Sequence, residues 1–112
     1  GDVAGAIENF EKSLMINATF AKGFNNYGCA AGLGALLGKL PQEKFAQGLQ
    51  AVQTALQLDS SSILYRQNLV GLLLLGGEKE LATQGWHELV TLDPSLIASG
   101  PPQDCTWEFS FR

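Results

Sequence analysis

Residues 48–60, GLQAVQTALQLDS, and residues 82–94, ATQGWHELVTLDP, follow one pattern 34 positions apart. Each segment begins with a small residue, has small or apolar residues at offsets of four and seven, and reaches a turn residue at an offset of twelve. Residues 6–18, AIENFEKSLMINA, fit a looser form of the pattern 42 positions earlier. Offsets of three and four place side chains on one helix face, and self-similarity at a period of about 20–50 residues is typical of repeat proteins.

Helical periodicity extends through most of the chain, and turn residues divide it. The segment 38–41 interrupts the first long pattern because its proline cannot continue a helix. Residues 59–62 form a turn with several candidate caps, residues 76–77 are two glycines, and residues 93–95 end the last helical pattern. We therefore predict five helices, over residues 2–16, 20–37, 42–58, 63–75 and 78–92.

Two motifs accompany these repeats: Phe24-x2-Tyr27-Gly28-x2-Ala31 in the second predicted helix, and Ala82-x3-Trp86 followed by Pro94 in the fifth. They resemble the motifs of the tetratricopeptide repeat family, whose first helix carries Trp-x2-Leu-Gly-x2-Tyr and whose second helix carries Ala-x3-Phe before a proline. The resemblance covers residues 1–95. It implies an all-α fold of antiparallel helix-turn-helix repeats, stacked as a right-handed superhelical solenoid.

The resemblance divides the chain into about two and a half repeats. Residues 1–18 would be the second helix of a truncated repeat, residues 19–60 a repeat with longer helices or a longer loop, and residues 61–95 a further repeat. The truncated first repeat leads us to expect a fragment of a longer protein. Its missing helix would be supplied by upstream sequence or by a neighbouring chain.

Residues 96–112 are predicted to form a linker and an extended tail. Gly100-Pro101-Pro102 is typical of a stiff linker, and Trp107, Phe109 and Phe111 alternate with polar residues as in a short strand. Three interpretations of this strand stay open. It could begin a following domain, fold back onto an apolar face of the repeats, or bind a ligand.

In the tetratricopeptide family the first helices of successive repeats line a concave groove that holds a peptide. The resemblance implies such a groove here, with Asn26 and Asn68 as its main contacts, because amide side chains can both donate to and accept from a peptide backbone. The alternative is that these two asparagines only brace neighbouring helices. The predicted groove residues are Lys22, Asn25, Asn26, Cys29, Leu33, Leu64, Gln67, Asn68, Gly71 and Leu75.

Candidate catalytic and metal-binding residues are few. His87 is the only histidine, and no set of ligands at a suitable spacing accompanies it. Cys29 and Cys105 match no metal or redox motif, and we expect both to be reduced thiols. We therefore predict no catalytic residue, no metal and no cofactor, and we interpret the chain as a protein other than an enzyme.

Charged residues make up only 16% of the chain, and the net charge is −4. So few charges leave apolar surface for a protein or peptide partner, or for a second copy. No basic cluster favours nucleic acid, and no apolar run reaches the roughly 20 residues that span a bilayer. We predict a soluble cytoplasmic scaffold or adaptor that binds a peptide; the alternatives are a self-assembly module or a substrate-recruiting appendage of a larger enzyme.

Overall fold

The structure, a computed structural model, describes residues 5, 7–9, 11–12 and 20–99. Within this part of the chain the secondary structure is helix and turn without a strand, which confirms the all-α class. Residues 5, 7–9 and 11–12 are helical and are named the N-terminal helical residues. The other elements are α1 (Ala21–Leu36), α2 (Glu43–Leu58), α3 (Ile63–Leu75), α4 (Lys79–Leu92) and a 3₁₀ helix (Pro94–Ser99).

The four numbered helices begin and end within one residue of their predicted limits. The spacing of 42 positions exceeds the spacing of 34 by eight, and the structure shows where the eight additional residues of the repeat at 19–60 lie. α1 is three residues longer than α3, α2 is two residues longer than α4, and the loop 37–42 is three residues longer than the loop 76–78. Longer helices and a longer loop therefore both contribute.

α1 and α3 end in the same way, at a glycine with positive φ. Gly38 and Gly77 have φ angles of 73° and 83°, which residues with a Cβ atom rarely adopt. The amides of Gly77 and Glu78 donate to carbonyl groups in the last turn of α3, at 3.1 and 2.8 Å. Gly38 and Lys39 make the equivalent bonds at the end of α1, at 3.1 and 2.9 Å. This pair of bonds is the Schellman motif, which ends a helix and redirects the chain.

α2 and α4 also end alike. Asp59 and Asp93 leave the helix with φ angles of −142° and −138°, and their amides donate to carbonyl groups four residues earlier, at 2.9 and 2.8 Å. Each carboxylate then accepts a hydrogen bond from a serine two residues later, from the hydroxyl of Ser61 and from the amide of Ser95. These local bonds stabilise the turn that follows each helix.

α1 and α2 make the most extensive helix contact among the described elements, and glycines permit it. A Cβ atom at Gly48 would lie 2.6 Å from the carbonyl oxygen of Gly28 and 2.7 Å from the amide nitrogen of Gly32. The two backbones therefore touch with no side chain between them. α3 packs beside α1, where the side chain of Leu72 lies against Gly32.

The core consists of three clusters that follow the order of the helices. The first joins the N-terminal helical residues to α1 and α2, the second joins α1, α2 and α3, and the third joins α3 and α4. Leu49 and Leu69 contact both the second and the third, so these two clusters are continuous. The buried members are, in turn, Ile7, Tyr27, Ala31 and Ala51; Cys29, Val52 and Leu72; and Val70, Leu73, Ala82, Trp86 and Leu89.

The described part of the predicted linker, residues 96–99, belongs to the 3₁₀ helix. Leu96 packs against the third cluster, so the chain stays in contact with α3 and α4 beyond Pro94. The predicted strand around Trp107 lies outside the described residues, as does Cys105.

We predict that Gly48→Ala destabilises the fold far more than Gly32→Ala. At residue 48 the new methyl group meets backbone atoms of α1, which move only with the whole helix, so we expect a loss of about 2–3 kcal/mol. At residue 32 it meets the end of the Leu72 side chain, which can change rotamer, and alanine gains about 1 kcal/mol in helix propensity. Urea unfolding followed by circular dichroism measures both. Equal losses would contradict a backbone contact between α1 and α2.

Candidate functional site

The contact between α1 and α3 contains a buried pair of asparagines. Nδ2 of Asn68 donates to Oδ1 of Asn25 at 2.8 Å, and each residue is only 1% exposed. The thiol of Cys29, one turn after Asn25, donates weakly to the same oxygen at 3.9 Å. Buried amides need hydrogen-bond partners, so this bond favours one register of α3 against α1.

Asn26 is buried too, with 8% of its surface exposed, but its Oδ1 atom accepts no hydrogen bond. A buried acceptor without a partner costs about 1–3 kcal/mol. Nε of Arg66 is the other buried side-chain atom without a hydrogen bond among the described residues. Nη1 of the same guanidinium, however, donates to Oε2 of Glu88 at 2.8 Å. Among the described residues, Asn26 is therefore the uncharged side chain with a buried polar atom that makes no hydrogen bond to the chain.

The predicted groove residues lie on one stripe of each helix, and their burial divides them into two groups. One group is accessible: Lys22, Leu64 and Leu75 are exposed, and Leu33 and Gln67 are half-buried. Those turned into helix contacts are buried: Asn25, Asn26, Cys29, Asn68 and Gly71. Asn68 joins α3 to α1 through its hydrogen bond, and its contact with a bound peptide stays a prediction. Its partner is Asn25, a pairing that the sequence does not single out.

We name the accessible group the α1–α3 surface; it comprises Lys22, Leu33, Leu64, Gln67 and Leu75. α1 and α3 run in the same direction, since Asn25 meets Asn68 in their first halves and Gly32 meets Leu72 further along. Lys22 and Leu64 therefore lie toward one end of this surface, and Leu33 and Leu75 toward the other. Eleven residues separate the two ends along each helix, which corresponds to about 16 Å.

An open cleft of about 340 Å³ lies where α1 and α3 end and α2 begins. The ring of Phe45 lies against Gly76 and forms part of its wall. The lining residues are Ala35, Leu36, Gln42, Phe45 and Gly76. None of them is ionisable, so the cleft can receive an apolar or amide group but offers no acid–base chemistry.

Cys29 is buried in the second cluster of the core and acts there as a small apolar residue. Burial raises the pKa of its thiol from 9.0 to about 12, because the thiolate would lose its hydration. The thiol stays protonated at neutral pH, and the nucleophilic form of cysteine is the thiolate. The structure thus places Cys29 among the residues that stabilise the fold.

In the part of the chain that the structure describes, no three His, Cys, Asp or Glu residues lie close enough together to hold a metal ion. His87 is exposed on α4. No described helix is long and apolar enough to cross a membrane.

No protein-family model, curated protein or solved structure matches the chain. The tetratricopeptide resemblance therefore rests on the residue pattern and stays a prediction.

We predict that Asn68→Leu lowers the free energy of unfolding by about 1–3 kcal/mol, because Oδ1 of Asn25 then loses its amide donor while remaining buried. Asn25→Leu should cost a similar amount. The double variant should cost about 1–2 kcal/mol less than the sum of the two, since neither amide is then left without its partner. Urea unfolding of the four proteins gives this coupling energy, and strictly additive losses would show that the bond contributes nothing.

We also predict that stability falls as the pH rises from 9 toward 12. The thiol of the unfolded chain loses its proton near pH 9, whereas folded Cys29, whose pKa is about 12, keeps it. The unfolded state is thereby favoured by up to about 1.4 kcal/mol for each pH unit above 9. Burial also raises the pKa of Tyr27 and Tyr65, so the control is Cys29→Ala, which keeps both tyrosines. Urea unfolding between pH 8 and pH 10.5 should give the variant the shallower slope; identical slopes would refute a buried thiol.

Proposed function

We propose that the chain is a protein-interaction scaffold of tetratricopeptide-like repeats, and that the α1–α3 surface binds a peptide segment of a partner. In this proposal α1 with α2, and α3 with α4, are successive repeats of a right-handed solenoid. The N-terminal helical residues are the second helix of a preceding repeat. The proposal assigns no catalytic step, metal or cofactor to the chain.

The observation that carries the proposal is the packing of α1 beside α3. These are the first helices of the two hairpins, they run in the same direction, and their contact is closed by the Asn25–Asn68 bond. Such side-by-side first helices leave an outer surface to which both contribute, which is what a peptide-binding groove in a helical repeat requires.

Equivalent contacts support the repeat arrangement. Ile7 of the N-terminal helical residues packs with Tyr27 and Ala31 of α1. The equivalent positions 42 residues later hold Leu49, Leu69 and Leu73, which also pack together in one cluster. The N-terminal helical residues therefore contact α1 through the same positions that α2 uses to contact α3.

The two hairpins are also equivalent internally. Gly28 of α1 contacts Gly48 of α2, and the equivalent residues of the second hairpin, Val70 and Ala82, belong to one cluster. Both first helices end in a Schellman motif, and both second helices end at an aspartate whose carboxylate binds a following serine. These shared details extend the similarity beyond the apolar pattern.

The α1–α3 surface favours a peptide with apolar side chains. Leu64 and Leu75 are each 41% exposed, and covering them removes apolar surface from water at a gain of about 25 cal/mol per Å². Gln67 can bond to a peptide backbone. Lys22 is the only charged member, so an acidic residue of the peptide would be accommodated at that end alone.

The test is a selection of peptides from a random display library, followed by affinity measurements on the chain and on two double variants. We predict that Leu64→Lys with Leu75→Lys weakens the selected peptides at least tenfold, because the apolar contact is replaced by two charges. The control is Leu81→Lys with Leu92→Lys on α4, whose leucines are 50% and 47% exposed. The control should bind normally. Equal loss in both variants, or in neither, would place the binding site elsewhere.

Self-assembly is the second candidate, and one observation favours it. Leu37 is 70% exposed and Ile97 is 64% exposed, and large apolar side chains that are this exposed favour contact with another molecule. Light scattering over a range of concentrations distinguishes the two functions. A mass that rises with concentration, together with no selected peptide, would favour assembly over peptide binding.

A further inference from the structure

A further open cleft, of about 320 Å³, lies between the beginning of α3 and the last turns of α4. Its lining residues are Arg66 of α3 and Glu88, Thr91 and Leu92 of α4. Ligand sites usually measure about 300–1,000 Å³, so this cleft suits one large side chain better than a whole ligand molecule. We name it the Arg66 cleft.

The guanidinium of Arg66 is fixed at its nitrogen atoms. Nη1 donates to Oε2 of Glu88 at 2.8 Å, and Nη2 donates to the carbonyl oxygen of Ser60 at 3.1 Å. Nε is buried and makes no hydrogen bond within the described part of the chain. Because the edge of the group is occupied in this way, the planar face is the part that can contact a ligand in the cleft. A guanidinium face attracts an aromatic ring, and tryptophan gives the strongest attraction.

The other walls of the cleft fit the rest of an indole. Leu92 is 47% exposed, so an aromatic ring there would remove apolar surface from water. The side chain of Glu88 is 64% exposed, and a carboxylate can accept further hydrogen bonds beside the one from Arg66. The N–H group of an indole needs such an acceptor when the ring is buried. Tryptophan is therefore the side chain that uses the cation, the leucine and the carboxylate together.

The chain carries a tryptophan within reach of the cleft. Of its two tryptophans, Trp86 is buried in the third cluster, and Trp107 lies outside the described residues. The 3₁₀ helix Pro94–Ser99 follows α4, and its six residues rise about 12 Å. The eight residues from Ser99 to Trp107 span up to about 26 Å, so Trp107 can return to Leu92. A tethered side chain also has an effective concentration of about 1 mM, which favours it over a tryptophan of another molecule.

Two other clefts suit this side chain less well. The cleft beside Phe45 and Gly76 lies at the opposite end of α3, whose 13 residues extend about 20 Å, and no charged side chain lines it. A cleft around Tyr27 belongs to the other hairpin and also has no charged lining residue. Among these three clefts, the Arg66 cleft alone combines a cation with an apolar wall.

We propose that Trp107 docks in the Arg66 cleft of its own chain. Its ring lies against the face of the guanidinium and over Leu92, and its indole N–H donates to the carboxylate of Glu88. The inference does not depend on peptide binding at the α1–α3 surface. Arg66 and Leu64 are two positions apart on α3, which turns their side chains about 200° from each other.

The test places a nitroxide spin label on Cys105 of the ¹⁵N-labelled full chain. Cys29 stays unlabelled because its thiol is buried and its pKa is about 12. We expect the amide signals of residues 88–92 to lose most of their intensity and those of residues 33–37, at the far end of α1, to keep theirs. Trp107→Ala should restore the signals of residues 88–92. Phe111→Ala, which removes another aromatic side chain close to Trp107 in sequence, is the matched control and should leave the loss unchanged.

The side chain of Arg66 gives a second readout without a spin label. The chain has one other arginine, Arg112, so two Nε–H signals are expected. Trp107→Ala should shift the Arg66 signal because the magnetic field of the aromatic ring is removed. Phe111→Ala should leave it in place.

The inference would be overturned if the signals of residues 88–92 stayed weak in Trp107→Ala, or if residues 33–37 lost as much intensity. An Arg66 signal that does not respond to Trp107→Ala also contradicts it, once urea unfolding has verified that both variants are folded. A mixture of ¹⁵N-labelled chain without the spin label and unlabelled chain with it detects docking between molecules. Loss of the signals of residues 88–92 in this mixture would place Trp107 in the cleft of another copy and refute docking within one chain.

Discussion

The contact of Gly48 with the backbone of α1 determines where every later helix can lie. Because no side chain separates α1 from α2, side chains of both helices reach the same point on α3, and Cys29 and Val52 both pack on Leu72. The second hairpin packs differently. Val70 stands where α1 has Gly28, and its methyl group lies against Gly85, one turn along α4 from Ala82. A side chain therefore lies between α3 and α4, where α1 and α2 have a backbone contact.

The buried asparagines complement this apolar packing. Small and aliphatic side chains would tolerate several registers of α3 against α1, since leucine and glycine contacts are not directional. The bond between Asn25 and Asn68 is directional and lies where water cannot replace it, so a shifted register would leave two buried amides without partners. Apolar contacts supply most of the stability of the α1–α3 contact, and the amide pair selects one arrangement.

Local signals made the helices predictable, whereas the orientation of each helix was harder to foresee. Pro41, Gly77 and Asp59 act through their own backbone geometry, so the helix limits follow from the sequence. Repeat equivalence relates Asn26 to Asn68 but does not say which way either side chain points. A shift of one residue turns a side chain by about 100° around the helix, which is enough to separate Asn25 from Asn26. Burial along one stripe depends on which neighbouring element covers each position, and the sequence does not specify this: Lys22 is exposed although it lies on the same stripe as buried Cys29.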